Sequence, residues 1–99
     1  MIHDTALTVA PDHPAFAGHF PGRPILPGVV LLGWVVHALG ELAGEPMPPC
    51  SLASAKFLRP VAPGASLRIR LTRERGGWRF DVFAGDETVA TGSLRPAAR

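Results

Sequence analysis

One apolar segment, residues 26–44, does most to limit what this chain can fold into. It has Pro27 near its start and Gly44 at its end, the asymmetry that is typical of an α-helix. Because its first three turns are apolar on every side, we expect them to be buried all round. Its valines would also suit a buried strand, but the segment is long for a strand, so the helix is favoured.

The segments on either side of this helix have strand patterns. A first strand is expected at 2–9 and another at 51–58. Between the first strand and the helix, the segment 10–24 is rich in proline, which removes backbone donors and restricts the preceding residue. A loop is therefore expected directly before the helix.

The C-terminal half alternates between apolar and polar residues, as an antiparallel meander does. Glycine-containing turns connect the segment 66–74 to strands expected at 78–84 and 88–94. The alternation in 66–74 places Leu67, Ile69 and Leu71 on one face and Arg68, Arg70 and Thr72 on the other. We therefore expect one α+β domain over 1–99, with a helix packed against an antiparallel sheet.

The alternating arginines of 66–74 have two interpretations. Arg68 and Arg70 are typical of a solvated edge strand, whose charges discourage pairing with other chains. The functional alternative is docking of an acidic or phosphorylated partner.

Composition limits the classes of protein and of partner. Only 18% of the 99 residues are charged, and a core of this size is thin, so another subunit is expected to cover part of the apolar surface. The net charge of +2 is small and the basic residues lack interleaved exposed aromatics, so no nucleic acid is expected. The single cysteine, Cys50, excludes an intrachain disulfide and a cysteine-cluster metal site.

The sequence indicates neither a membrane span nor a signal peptide. The longest apolar run, 25–39, is shorter than the ~20 residues that a bilayer requires. The N-terminus lacks a basic stretch followed by an apolar one. A soluble, cytoplasmic protein is expected.

His19 is the histidine in the most constrained setting. It lies between Gly18 and a stiff loop with two prolines, and Pro27-Gly28 brings unpaired amides and a positive helix end nearby. A base beside such an amide is suited to take the α proton of a thioester while the amide holds the oxyanion. From these residues alone, a purely structural role for His19 is the stronger interpretation.

Two blocks of the chain resemble a known family. The segment 18–29, Gly-His-Phe-Pro-Gly-Arg-Pro-Ile-Leu-Pro-Gly-Val, resembles the signature loop of the FabZ/FabA-type 3-hydroxyacyl-[acyl carrier protein] dehydratases. The segment 55–64 resembles the family's strand and turn after the helix, and the meander fits its last strands. The resemblance implies a hotdog fold, in which a curved antiparallel sheet wraps a long buried helix, and dimers with active sites between subunits.

The resemblance also implies roles for single residues. His19 matches the family's base, and Gly28 matches the glycine whose amide binds the thioester carbonyl. The remaining residues that we expect to contact the substrate are Phe20, Pro21, Gly33 and Trp34. The acyl chain length that fits is expected to depend on packing around Trp34 and Phe57.

Gly33 departs from the family's pattern. The family has an acidic helix residue there, supplied by the other subunit, whereas glycine has no side chain to donate a proton. The glycine is explained by close packing, by an enlarged pocket or by lost dehydration. His37, one turn later on the same face, is the first candidate to replace the acid, although a structural role for it stays open. Glu41 is roughly 12 Å along the axis from Gly33, which is too far.

Two functions of different classes follow. The first is a 3-hydroxyacyl-thioester dehydratase of fatty-acid or polyketide-like metabolism, with its substrate on acyl carrier protein or CoA and without a metal or other cofactor. The alternative is a catalytically impaired acyl-thioester-binding module or the partner subunit of an active dehydratase. A thioesterase would need a well-placed carboxylate, which the sequence does not show. We expect a homodimer or a higher homo-oligomer, and a hetero-oligomer stays open.

Overall fold

The computed structural model describes residues 2–12, 26–44 and 50–96. In chain order, the elements of these residues are β1 (Ile2–Thr8), α1 (Gly28–Ala43), β2 (Cys50–Phe57), β3 (Ser66–Glu74), β4 (Gly77–Ala84) and β5 (Glu87–Pro96). The strands form one antiparallel sheet in the order β1-β3-β4-β5-β2. The meander of β3, β4 and β5 is thus flanked by β1 and β2, and the expected α+β architecture is confirmed.

The ends of α1 follow from the residues that the sequence places there. Pro27 is the N-cap, and Gly44 ends the helix with φ 76° and donates its N–H to the Gly40 carbonyl. A positive φ is far easier for glycine than for other residues, so Gly44 stops the helix at this point. The strand alternative for this segment is wrong.

One side of α1 is buried and the opposite side is open. Its buried residues include Leu31, Val35, Ala38 and Leu39. The exposed side, which we call the helix stripe, consists of Val29, Gly33, His37 and Glu41. Residues four apart share a helix face, and Val29 is 76% exposed. The expectation that the first three turns are buried on every side is therefore wrong for the single chain.

The inner face of the sheet carries the core against which α1 packs. Leu67 is 3% exposed and Ile69 and Leu71 are 0% exposed, which confirms the alternation expected in β3. On β4, Phe80 lies opposite Leu71, and Val82 lies opposite Ile69. These side chains form one cluster with the buried side of α1.

The position of β3 in the sheet shows that the edge-strand interpretation of its arginines is wrong. β3 pairs with β1 on one side and β4 on the other, so it is not an edge strand. The Arg68 and Arg70 guanidinium carbons lie 4.9 and 5.5 Å from the centre of the Phe83 ring. Arg70 Nε also lies 2.9 Å from Asp4 Oδ1, and this hydrogen bond holds the pKa of the Asp4 carboxyl below its ordinary value. The two arginines thus stabilise the outer face of a central strand.

β2 is an outer strand of the described sheet. It pairs with β5 along one side, with a register irregularity between Leu52 and Ser54, and within the described residues its other side has no partner strand. Six of its eight residues are exposed, and Leu52 and Phe57 are 47% and 51% exposed. In these same parts of the chain, no helix combines the length and hydropathy of a membrane span.

Candidate active site

The N-terminus of α1 is held by the segment that follows β2. Leu26 is buried and donates its N–H to the Val61 carbonyl at 2.8 Å. Pro27 then takes the extended conformation, φ −60° and ψ 140°, from which the helix begins. This hydrogen bond ties the start of the helix to the segment after β2.

The first turn of α1 presents unpaired amides. Val30 and Leu31 donate to the Pro27 carbonyl, at 3.1 and 3.4 Å. The N–H groups of Gly28 and Val29 make no hydrogen bond within residues 2–12, 26–44 and 50–96, and Pro27 adds no side-chain cap. The first turn has no acidic residue, so nothing in it neutralises the positive end of the helix dipole. Such an end suits a developing oxyanion.

The ring of Phe57 lies directly against Gly28. An ideal Cβ on Gly28 would be 2.8 Å from Phe57 Cζ and 3.0 Å from Cε1. A glycine here therefore permits the close approach of the ring to the start of the helix. The sequence indicates Phe57 through the block 55–64 and through the expected effect of its packing on acyl chain length, but no local pattern predicts its contact with Gly28.

The helix stripe contains the two residues that bear on the missing acid. Gly33 is exposed, and an ideal Cβ there would meet nothing within 4 Å. Of the explanations for Gly33, close packing against the sheet is therefore wrong within the described residues, whereas packing against the adjacent Trp34 stays a prediction. The His37 side chain is 74% exposed, and its Nε2 lies 3.6 Å from Glu41 Oε1. Gly33 and His37 share this open face, as their spacing predicts.

The other expected site residues are placed as follows. Trp34 is half-buried and packs against the core beneath the helix. His19, Phe20 and Pro21 lie outside the residues that the structure describes, so their positions stay predictions. Among the described side chains, no three His, Cys, Asp or Glu residues come together as a metal site requires.

Comparison with known proteins identifies relatives that are named dehydratases. The family model for ApeI-like proteins, described as ApeI dehydratase, matches residues 2–93. The 3-hydroxyacyl-[acyl-carrier-protein] dehydratase FabZ of Acidiphilium cryptum (strain JF-5) is 40% identical over 95 residues, which cover 84% of this chain and 58% of that protein. The chain thus spans less than two thirds of the length of curated relatives of this kind.

Solved structures show the same architecture. The dehydratase heterocomplex ApeI:P from Xenorhabdus doucetiae matches with a TM-score of 0.77 and 29% identity, over 95% of this chain and 85% of that chain. An N-terminal dehydratase from the difficidin assembly line matches with a TM-score of 0.84 and 16% identity, over 100% of this chain and 40% of that chain. The second likeness bears on the fold alone, and it supports the hotdog fold expected from the sequence. On the match of its family model over 2–93, the chain belongs to the ApeI-like dehydratase family.

Proposed function

We propose that this chain is a dehydratase, a hydro-lyase that removes water from 3-hydroxyacyl thioesters. The observation that carries the proposal is the first turn of α1, where the Gly28 amide has no hydrogen-bond partner among the residues that the structure describes. It stands at the position where the resemblance expects the thioester carbonyl to bind. The FabZ relatives support acyl carrier protein as the carrier of the substrate, with fatty-acid or polyketide-like metabolism as the setting.

The reaction needs a base, an oxyanion donor and an acid. His19 takes the proton from C2 of the acyl group, and the Gly28 amide stabilises the charge that develops on the thioester oxygen. The electron pair of the broken C–H bond then forms the C2=C3 double bond. The hydroxyl group on C3 leaves as water after it receives a proton.

His37, or a water molecule, supplies that proton. Side chains on a helix lean toward its N-terminus, so the imidazole of His37 leans toward the turn that contains Gly33. No described atom would lie within 4 Å of a Cβ at Gly33, which leaves the imidazole free space there. On the other side, Glu41 Oε1 lies 3.6 Å from His37 Nε2, so a carboxylate is the nearest charged neighbour of the ring along the helix stripe.

A second subunit belongs to this proposal. Within the described parts of the chain, β2 has one edge without a partner strand and carries the exposed Leu52, and natural monomers usually avoid such features. A dimer would cover them, and Val29 on the helix stripe offers further apolar surface. The heterocomplex ApeI:P supports a hetero-oligomer as the alternative to a homodimer. Light scattering of the chain in solution tests whether it is larger than a monomer. We also propose that the protein is cytoplasmic.

The roles are tested by following enoyl formation from a 3-hydroxybutyryl thioester of acyl carrier protein. Loss of the base in His19→Ala should lower kcat/KM about 10²–10⁴-fold, and His37→Ala should lower kcat more than it changes KM. His3→Ala is the matched control, because His3 lies on β1 and contacts Thr5. Binding of the thioester without enoyl formation would contradict the proposal and favour a binding module.

A further inference from the structure

We propose that Phe57 is a specificity-determining residue, whose ring sets the room for substituents on the α-carbon of the bound acyl thioester. The inference deepens the proposed function and rests on it, because it takes the Gly28 amide as the donor to the thioester carbonyl. It concerns which acyl groups are accepted rather than how the proton moves.

The contact between Phe57 and Gly28 places the ring beside that amide. Three atoms at the tip of the ring, Cζ, Cε1 and Cε2, lie 2.8, 3.0 and 3.1 Å from the ideal Cβ position of Gly28. That position is bonded to the same Cα as the Gly28 nitrogen. We infer that a group that accepts a hydrogen bond from this nitrogen lies on the same side of the helix start as the ring.

The backbone of Phe57 is fixed, whereas its side chain is partly open. Phe57 is the last residue of β2 and pairs with Ala90 of β5. Directly after it, Leu58 donates its N–H to the Val89 carbonyl at 2.9 Å. The residue is nevertheless 51% exposed, so the ring is not committed to the core. A large apolar side chain next to amides that have no partner among the described residues has the character of a small-molecule site, which combines apolar walls with a few polar groups.

The size of a thioester decides which part of it meets the ring. A carbonyl oxygen about 3 Å from the Gly28 nitrogen places the carbonyl carbon and the α-carbon within about 5 Å of that nitrogen. At this range the α-carbon can reach van der Waals contact with the ring, and we infer that a methyl branch there competes with Phe57 for space. One methyl group changes selectivity in such a pocket by about 10- to 200-fold.

The test compares butyryl and isobutyryl thioesters of pantetheine as ligands. These isomers have the same number of carbons and differ in the branch at the α-carbon, and without a 3-hydroxyl group neither can be dehydrated. Calorimetry gives the ratio of their Kd values for the wild type, for Phe57→Ala and for Phe57→Leu. Leu58→Ala is the matched control, because Leu58 is 54% exposed and is not among the atoms nearest to Gly28.

We expect the wild type to bind butyryl at least about tenfold more tightly than isobutyryl. The ratio should fall close to one in Phe57→Ala, take an intermediate value in Phe57→Leu and stay unchanged in Leu58→Ala. A ratio that is the same in Phe57→Ala as in the wild type would overturn the assignment, as would a wild type without preference. Folding of each variant is checked by circular dichroism, and Phe57→Leu keeps the test decisive if Phe57→Ala unfolds.

Failure of this assignment is distinguishable from failure of the proposed function. If the preference between the isomers is lost in Phe57→Ala but the wild type forms no enoyl product from a 3-hydroxybutyryl thioester, the dehydratase function is wrong and the role of Phe57 stands. If the wild type binds neither isomer, both proposals are wrong. If the wild type forms the enoyl product but the ratio of the Kd values is the same in the Phe57 variants as in the wild type, only the assignment of Phe57 is wrong.

Discussion

The tip of the Phe57 ring lies only 2.8 Å from the position that an ideal Cβ on Gly28 would take, which is too close for a side chain there. Gly28→Ala should therefore push the ring aside. Because the ring is the end of a half-exposed side chain, we expect the variant to fold, with a free energy of unfolding within about 1 kcal/mol of the wild type. Its binding of butyryl pantetheine should weaken by about tenfold or more, as calorimetry would measure. Unchanged binding would show that the ring and the amide do not act on the same ligand.

Gly33→Ala places the same substitution as Gly28→Ala at an open position of α1. An added Cβ would meet nothing within 4 Å, and the position is an exposed helix interior. Alanine is favoured over glycine there by about 0.5–1 kcal/mol, so the variant should be more stable by that amount. Urea unfolding followed by circular dichroism measures the change. A loss of stability would mean that a partner packs closely against Gly33.

Gly92→Ala should have the opposite effect, since Gly92 lies within the sheet. A Cβ there would collide with the Ser54 carbonyl oxygen and would lie 2.5 Å from Phe80 Cζ. Backbone and a 0% exposed ring cannot give way easily. We expect a loss of about 1–3 kcal/mol, measured by the same urea unfolding, with Gly33→Ala as the control. Stability equal to that of the wild type would contradict the close packing of β2 against β5 and β4.

Gly33→Glu tests whether the missing acid limits the reaction. A carboxylate at this position of the open helix stripe restores the acidic residue that the resemblance expects there. We expect the rate of enoyl formation to rise by about tenfold or more, at a stability close to that of the wild type. An unchanged rate, in a variant that still binds the thioester, would indicate that His37 or water already supplies the proton efficiently.

The Asp4–Arg70 ion pair gives a dependence of stability on pH. Its hydrogen bond lowers the pKa of Asp4 in the folded chain, so the pair stabilises the fold above about pH 4, the ordinary range of an aspartate. The contribution is lost as the pH falls through the lower, folded pKa. The side chains are 36% and 40% exposed, so the effect is small. Asp4→Asn should lose stability near pH 7 and match the wild type near pH 2 in chemical unfolding experiments. A deficit that persists in acid would contradict this origin.

The sequence predicted the features that depend on short patterns. The alternation of Leu67, Ile69 and Leu71 defines the inner face of β3, because successive side chains on a strand point to opposite faces. Pro27 and Gly44 mark the ends of α1, because each restricts or permits a backbone conformation within a single residue. These constraints are local, so one sequence is enough to read them.

Long-range contacts and surfaces between chains were not readable in this way. The pairing of β2 with β5 and the contact of Phe57 with Gly28 join residues far apart in the chain, and no period in the sequence connects them. The apolar Val29 looks like a core residue in the sequence yet is 76% exposed in the single chain. Hydrophobicity shows that a surface should be covered, but it does not say whether the same chain or another covers it.

The dehydratase function is tested most directly by whether the wild-type chain converts a 3-hydroxyacyl thioester to the enoyl thioester. Purified protein is incubated with 3-hydroxybutyryl-acyl carrier protein, and the masses of the acyl groups are followed by mass spectrometry over time. We predict loss of one water from the acyl group, at a rate that falls about 10²–10⁴-fold in His19→Ala. Acyl groups of unchanged mass, on a carrier that the protein still binds, would contradict the dehydratase function.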